Sequence, residues 1–195
     1  MPSRQRCNGR RNWPAGHHRP EVPGDSGGVR IRRAEPADLE GMLDAYESVA
    51  AEGRYIGGEL PVDRAERRAG WLEALDDSSA ASFVAEVDGT IVDTAGVKGT
   101  GPSELGMLVV SGWRGRGVGS GLLRACIDWA RLVGSHKVSL QVWPHNTAAI
   151  GLYLKHGFIR EGYLQRHWRR RNGELWDAVV MGLLLEDGPT EPPRQ

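Results

Sequence analysis

Apolar residues recur along the chain in two rhythms, every second position and every third or fourth. The switches between them predict an ordered series of strands and helices. Val29 to Arg33 alternates apolar and basic residues as a short strand does. Glu35-Pro36 then opens a helix whose apolar stripe runs through Leu39, Met42, Leu43, Tyr46 and Val49. Gly57-Gly58 and Pro61 break the chain ahead of a second helix, with Ala65, Trp71, Leu72 and Leu75 at helical spacing as far as Asp76-Asp77. Two β-rich runs follow, Ser82 to Val87 and Thr90 to Val97. They are joined by Asp88-Gly89, whose tolerance of positive φ predicts a type I′ hairpin. Leu105 to Val110 is apolar on both faces, which predicts a central strand covered on both sides. Gly117 to Val133 carries Leu122, Leu123, Cys126, Ile127 and Ala130 on one helical stripe, so Cys126 reads as a small apolar core residue. Lys137 to Val142 reads as a strand, Thr147 to His156 as a helix stopped by Gly157, and Phe158 to Trp168 as a further strand. Asn172-Gly173 then turns the chain into the last strand, Glu174 to Leu185.

The ends break this pattern. Residues 1–28 hold four Pro, five Gly and five Arg with almost no large aliphatic side chain. They bury too little apolar surface to offset their ordering entropy and are expected to be disordered, as are residues 187–195. One α/β domain over 29–186 remains, a length that a single core fills. The 25 Lys and Arg balance the 25 Asp and Glu, so no global field draws the chain to nucleic acid or to an anionic membrane. Cys7 and Cys126 make neither a disulfide framework nor a metal-ligand cluster, and no metal is expected. The chain also lacks an apolar run of about 18 residues and a signal-peptide h-region, so the expectation is a soluble, cytoplasmic protein.

The stretch from Trp113 through Arg114-Gly115-Arg116-Gly117-Val118-Gly119-Ser120 to Gly121 joins an apolar strand to an amphipathic helix. Backbone amides there can close around phosphate oxygens, and the helix dipole adds roughly half a positive charge. No Gly-Lys-[Ser/Thr] follows, and neither Gly115 nor Gly117 begins a complete G-x-G-x-x-G, so the P-loop and dinucleotide fingerprints both fail. A second helix start bears Asn146-Thr147-Ala148-Ala149-Ile150, with Tyr153 and Gly157-Phe158 downstream. Together these segments resemble two motifs of the GNAT acetyltransferases. Arg114-x-x-Gly117-x-Gly119 is similar to the family's motif A. Asn146-x-Ala148-Ala149-Ile150-x-x-Tyr153-x-x-x-Gly157-Phe158 is similar to its motif B, in the family's order and spacing. The likeness runs from about Val29 to Leu185 and is densest from Leu105 to Phe158, and the C-terminal half resembles bacterial ribosomal-protein alanine acetyltransferases.

That resemblance implies a GNAT-like α/β fold: a mixed, mostly antiparallel central sheet flanked by helices on both faces, with splayed strands four and five, here Leu105 to Val110 and Lys137 to Val142. It implies acetyl-CoA as the acetyl donor and an amine-bearing acceptor. Backbone groups of Met107, Leu108 and Val109 pair with pantetheine, and amides from Gly115 to Ser120 (Gly115, Arg116, Gly117, Val118, Gly119, Ser120) hold the pyrophosphate. Arg114 and Arg116 are candidates to add charge beside the phosphates, and Asn146 resembles the family's pantetheine-contacting asparagine. Tyr153 matches the tyrosine that hydrogen-bonds the departing sulfur.

Attack on the thioester needs a neutral amine, although a free lysine-type amine has a pKa of about 10.4. In the alanine acetyltransferases that the C-terminal half resembles, the base is a glutamate on the fifth strand, and the matching position here is Gln141, which takes up no proton near neutrality. Glu104, entering the fourth strand, is the replacement candidate, with His145 and His167 ranked after it. Two other readings compete: a non-catalytic acyl-CoA-binding module, kept open by Gln141, and an RNA contact through Arg166, Arg169, Arg170, Arg171 and Trp168. A solvated hairpin is the plainer account of that basic cluster. The acceptor stays open between a small-molecule amine and a protein N-terminus, a homodimer stays open as well, and Tyr46, Glu47, Glu52, Tyr55 and Glu59 are candidate wall residues.

Overall fold

The computed structural model describes residues 28–185, so the expectations for the two tails, Gly28 apart, lie outside the described residues. In chain order the elements are β1 (Arg30–Arg33), α1 (Leu39–Ala51), α2 (Arg64–Asp76), β2 (Ala80–Val87), β3 (Thr90–Lys98), β4 (Pro102–Val109), α3 (Val118–Leu132), β5 (Lys137–Val142), α4 (Thr147–Lys155), β6 (Ile159–Arg169) and β7 (Leu175–Leu184). Strands and helices fall where the apolar rhythm put them, and the differences lie at their ends. Helix α1 starts at Leu39 because Pro36–Asp38 winds as a 3-10 turn. There the Glu35 amide donates to the Asp38 carboxylate, which also receives the Arg32 fork at 2.6 and 2.7 Å. The Asp88-Gly89 turn has φ of 47° and 78°, as a type I′ hairpin requires. Strand β4 begins at Pro102, ahead of its apolar run, because Pro102 to Glu104 pair with β5. Helix α4 ends at Lys155, and Gly157 (φ 88°) closes it with the Phe158 amide donating to the Tyr153 carbonyl at 3.1 Å and its own amide to Leu154 at 3.1 Å.

The seven strands form one mixed sheet in the order β1-β2-β3-β4-β5-β7-β6, with β4 at its centre. Only the β4–β5 pair is parallel, and the others run antiparallel. Strand alternation sends neighbouring side chains to different helices. On β2, Phe83 and Ala85 join the core built with Leu122, Leu123 and Cys126 of α3, while Val84 between them packs with Leu39 and Met42 beside α1. Helices therefore cover both faces, and Cys126 is fully buried as an apolar residue. Helix α2 has no buried residue and leans on the sheet through the half-buried Trp71 and Leu75.

The final hairpin differs from its sequence reading. Arg170 is only 5% exposed: its guanidinium lies 4.4 Å from the Trp176 ring, approaches Glu59 at 3.5 Å, and donates to the carbonyls of Ile56 and Gly57 at 3.3 and 3.1 Å. Arg171 donates to the Pro61 carbonyl at 3.0 Å. Two members of the basic cluster thus fasten the β6–β7 hairpin to the segment between α1 and α2, a use that neither RNA binding nor a solvated turn anticipates.

Candidate functional site

Strands β4 and β5 are paired only where Pro102 to Glu104 face Lys137 to Ser139. From Leu105 and Leu140 onward each keeps its outer partner, β3 or β7, and they part from one another, as the resemblance led us to expect. Backbone amides and carbonyls on the two inner edges therefore have no strand partner, and buried groups of that kind call for a ligand or water. The opening widens into a cleft of about 1000 Å³, at the upper end of small-molecule sites.

Two helix starts border this cleft. Gly117 caps α3 in the left-handed region (φ 85°) with no side-chain cap, and the first return bond is Gly121 to the Gly117 carbonyl at 3.1 Å. The amides of Val118, Gly119 and Ser120 are left without an intrahelical acceptor, which makes that end receptive to an anion. At Gly119 an added Cβ would stand 3.3 Å from Leu152, 3.4 Å from Met107 and 3.5 Å from Val109, so a side chain there crowds the approach between α3, α4 and β4 that glycine leaves open. Asn146 caps α4 by accepting from the Ala149 amide at 3.2 Å, which keeps its side-chain NH2 free.

Ten of the thirteen residues expected to bind the cofactor or act in catalysis line the cleft. Met107, Leu108, Val109, Arg114 and Gly115 do so along β4 and the loop that follows it, Gly117, Gly119 and Ser120 at the start of α3, and Asn146 and Tyr153 on α4. Three others lie outside the lining. Val118 is buried in the core, and Arg116 is exposed over the Trp113 ring at 5.1 Å. Glu104 is exposed where β4 and β5 are still paired, opposite Lys98 and Ser139. Arg114 lines the cleft with its charge already matched. Its fork is bidentate to Glu52 at 2.7 and 2.5 Å, its Nε donates to the Val109 carbonyl at 2.8 Å, and its plane lies 4.3 Å from the Tyr55 ring. Glu52, Glu47 and Glu59 are occupied by arginines and do not line the cleft, whereas Tyr46 and Tyr55 do.

Tyr153 is buried, and burial pushes its phenol well above the ordinary value, with Cys126 and Asp93 adding to the rise. It stays neutral and can donate. Gln141 lines the cleft with its carbonyl receiving Trp168 Nε1 at 3.0 Å. His145 is bound to the Arg54 carbonyl at 2.7 Å and His167 is exposed beside Trp168, both outside the lining. Among the described residues, then, no carboxylate or imidazole lines the cleft.

Sequence reasoning missed Trp71, Trp143 and Arg67 in the lining. Trp71 packs edge-on against Tyr46 and Trp143 against Trp168, and Arg67 lies beside Tyr46 and Trp71. Arg67 and Trp71 are four residues apart on a helix of otherwise low apolar content, and that i, i+4 pair was the available signal.

The profile of the Acetyltransferase (GNAT) family matches residues 43–158. The L-methionine sulfoximine/L-methionine sulfone acetyltransferase of Pseudomonas paraeruginosa is 31% identical over 172 residues, covering 83% of this chain and 98% of the relative. A ribosomal-protein-alanine N-acetyltransferase from Brucella melitensis superposes with a TM-score of 0.72 at 30% identity, covering 80% of this chain and 99% of that one. The yncA protein of Salmonella typhimurium, solved with its cofactor acetyl-CoA, superposes with a TM-score of 0.74 at 24% identity, covering 86% of this chain and 99% of that one.

Proposed function

This chain belongs to the GNAT acetyltransferase family, and from that premise we propose that residues 29–186 move an acetyl group from acetyl-CoA to the primary amine of a small molecule by direct attack in a ternary complex. The observation that carries this reading is the parting of β4 and β5 after Glu104 and Ser139, with two open helix starts beside the gap. Amides of Gly115 to Ser120 hold the pyrophosphate, the inner edge of Met107 to Val109, apart from the Val109 carbonyl that Arg114 already fills, pairs with the pantetheine amides, and the Asn146 NH2 adds a donor. Because Glu52 neutralises Arg114, the backbone is the main anion donor, and Arg114 acts as a brace for the loop.

The amine nitrogen forms its bond to the thioester carbonyl carbon, the C–S bond breaks, and the sulfur leaves as CoA thiolate. Tyr153 donates a hydrogen bond to that sulfur; its raised pKa makes full proton transfer still less favourable than the values of about 10 and 8.5 for free phenol and thiol imply. Positioning and oxyanion stabilisation by strand amides supply the larger share of the acceleration. The amine's proton passes to water, since Gln141 cannot take it and Glu104 lies outside the lining. Glu104 directly precedes the cleft residue Leu105, one strand step of roughly 3.4 Å, and its side chain is exposed outside the lining, so we assign it a role only through intervening water.

The test is calorimetry with acetyl-CoA together with CoA release over a panel of primary amines. Saturable binding and turnover are expected, with kcat/KM rising with pH toward the acceptor's own amine pKa. Saturable binding without turnover on any amine would establish the idle acyl-CoA-binding module instead, a reading that the amide at Gln141 favours. Absence of binding would remove both.

A further inference from the structure

We propose that Arg67 anchors a carboxylate on the acceptor, so that the acceptor is an α-amino acid or a compound built like one. This rests on the transfer reaction proposed above and deepens it. Arg67 sits on α2 and lines the cleft with Tyr46 and Trp71. Its guanidinium lies 4.2 Å from the Tyr46 ring and 5.8 Å from the Trp71 ring, and its Nη2 donates to the Tyr46 hydroxyl at 2.8 Å. Those contacts fix the plane of the fork and use one of its five N–H groups. A side chain at Gly58 would collide with the same Tyr46 hydroxyl, so the segment between α1 and α2 closes against the ring that holds Arg67.

Charge pairing separates Arg67 from its neighbours. On the same helix Arg64 meets Glu40, Asp44 and Glu47, and Arg68 meets Glu40. Arg114, also in the cleft, is held by Glu52. Arg67 makes no ion pair among the described residues. Arg67 also lines an adjoining pocket with Glu59, Asp63 and Glu66, whose carboxylates stay beyond 4.0 Å of it; Glu59 serves Arg170 and Asp63 caps the Glu66 amide. Lys155 also lines the cleft without an ion pair, but it lies on the last turn of α4, the helix that Asn146 begins.

Within the cleft itself a polyamine or an aminoglycoside meets the Arg67 guanidinium and no lining carboxylate, and the carboxylates of Glu59, Asp63 and Glu66 belong to the adjoining pocket. A zwitterionic amino acid meets a preorganised fork for its carboxylate, while its amine is left to face the thioester. The geometry of the fork suits the bidentate recognition at which arginine excels.

The experiment measures CoA release with L-methionine and L-phenylalanine, their carboxamides, and spermidine, on the wild type, Arg67→Gln and Arg67→Lys, comparing rates per unprotonated amine. Tryptophan fluorescence titration of the same compounds in the presence of CoA reports binding separately. We expect the free acids to exceed the amides by about 10- to 100-fold in kcat/KM, the range of a hydrogen bond to a charged group. Arg67→Gln should collapse that ratio toward one through KM for the acid, and Arg67→Lys should restore part of it. Amides or spermidine accepted as well as the acids, an acid-to-amide ratio unchanged in Arg67→Gln, or no binding of the acids would overturn the anchor. Acids that bind through Arg67 without CoA release would support the anchor and overturn the transfer reaction.

Discussion

Asp93 is fully buried on β3, one of its carboxylate oxygens has no partner, and burial pushes its pKa up to about 8 against the opposing effects of the Thr94 amide and the Arg114 charge. In the unfolded chain the same group ionises near 3.9. Between those values the unfolded state carries fewer protons than the folded one, so the contribution of Asp93 to stability falls as pH rises and levels off above about 8. Asp93→Asn keeps the oxygen that accepts from the Thr94 amide and removes the titration. Relative to wild type it should gain stability from pH 5 to pH 8, by up to about 1.4 kcal/mol per pH unit, as read from urea midpoints. Parallel pH curves for the two proteins would refute the assignment. Nothing local announces this residue. A register shift at Ala85/Glu86 on the neighbouring strand intervenes before Asp93, and strand alternation cannot be carried through such a bulge from sequence. Tyr153 was legible because its spacing from Asn146 and Gly157 belongs to a motif. Arg67 belongs to no motif: its i, i+4 spacing to Trp71 is the one local trace, and its lack of an ion pair among the described residues shows only in space.

At the scale of elements, the glycine loop and the α3 start were legible because anion binding there depends on local backbone, which a short sequence dictates. Gly119 makes the point testable. Valine is no worse than glycine inside a helix, but its Cβ would stand 3.3 to 3.5 Å from Leu152, Met107 and Val109, so Gly119→Val should lower the melting temperature by about 3–10 °C while the chain still folds. Its branched side chain would nevertheless fill the gap now bounded by Leu152, Met107 and Val109, and acetyl-CoA affinity measured by calorimetry should fall by at least about tenfold. Unchanged affinity would place the cofactor elsewhere. The V between β4 and β5 was legible only through the family resemblance. Their apolar patterns predict two strands and carry no sign of where pairing stops, and Pro102 to Glu104, the residues that do pair, precede the apolar run that marked the fourth strand.

For the whole molecule, the decisive closure is between segments more than a hundred residues apart. Arg170 reaches the carbonyls of Ile56 and Gly57 and the carboxylate of Glu59, and Arg171 reaches the Pro61 carbonyl, so the last hairpin holds the α1–α2 segment that forms one wall of the cleft. Such links leave no periodic or compositional trace, which is why the arginines read as a solvated or RNA-facing cluster. Arg170→Ala would strand two carbonyls and a carboxylate in a region that the guanidinium now seals, at a cost of about 2–4 kcal/mol. The expected result is a melting temperature lower by about 5–10 °C, together with a raised KM for the acceptor and an unchanged KM for acetyl-CoA. The split follows from the division of the cleft: the loop at the α3 start is braced by Arg114 on Glu52, and the α4 start meets the hairpin through the rings of Trp143 and His145 against Trp176, whereas the wall at Ile56 and Gly57 is bonded directly to Arg170. Equal rises in both KM values would mean that the hairpin supports the sheet as a whole, and the two halves of the cleft would then not be independently built.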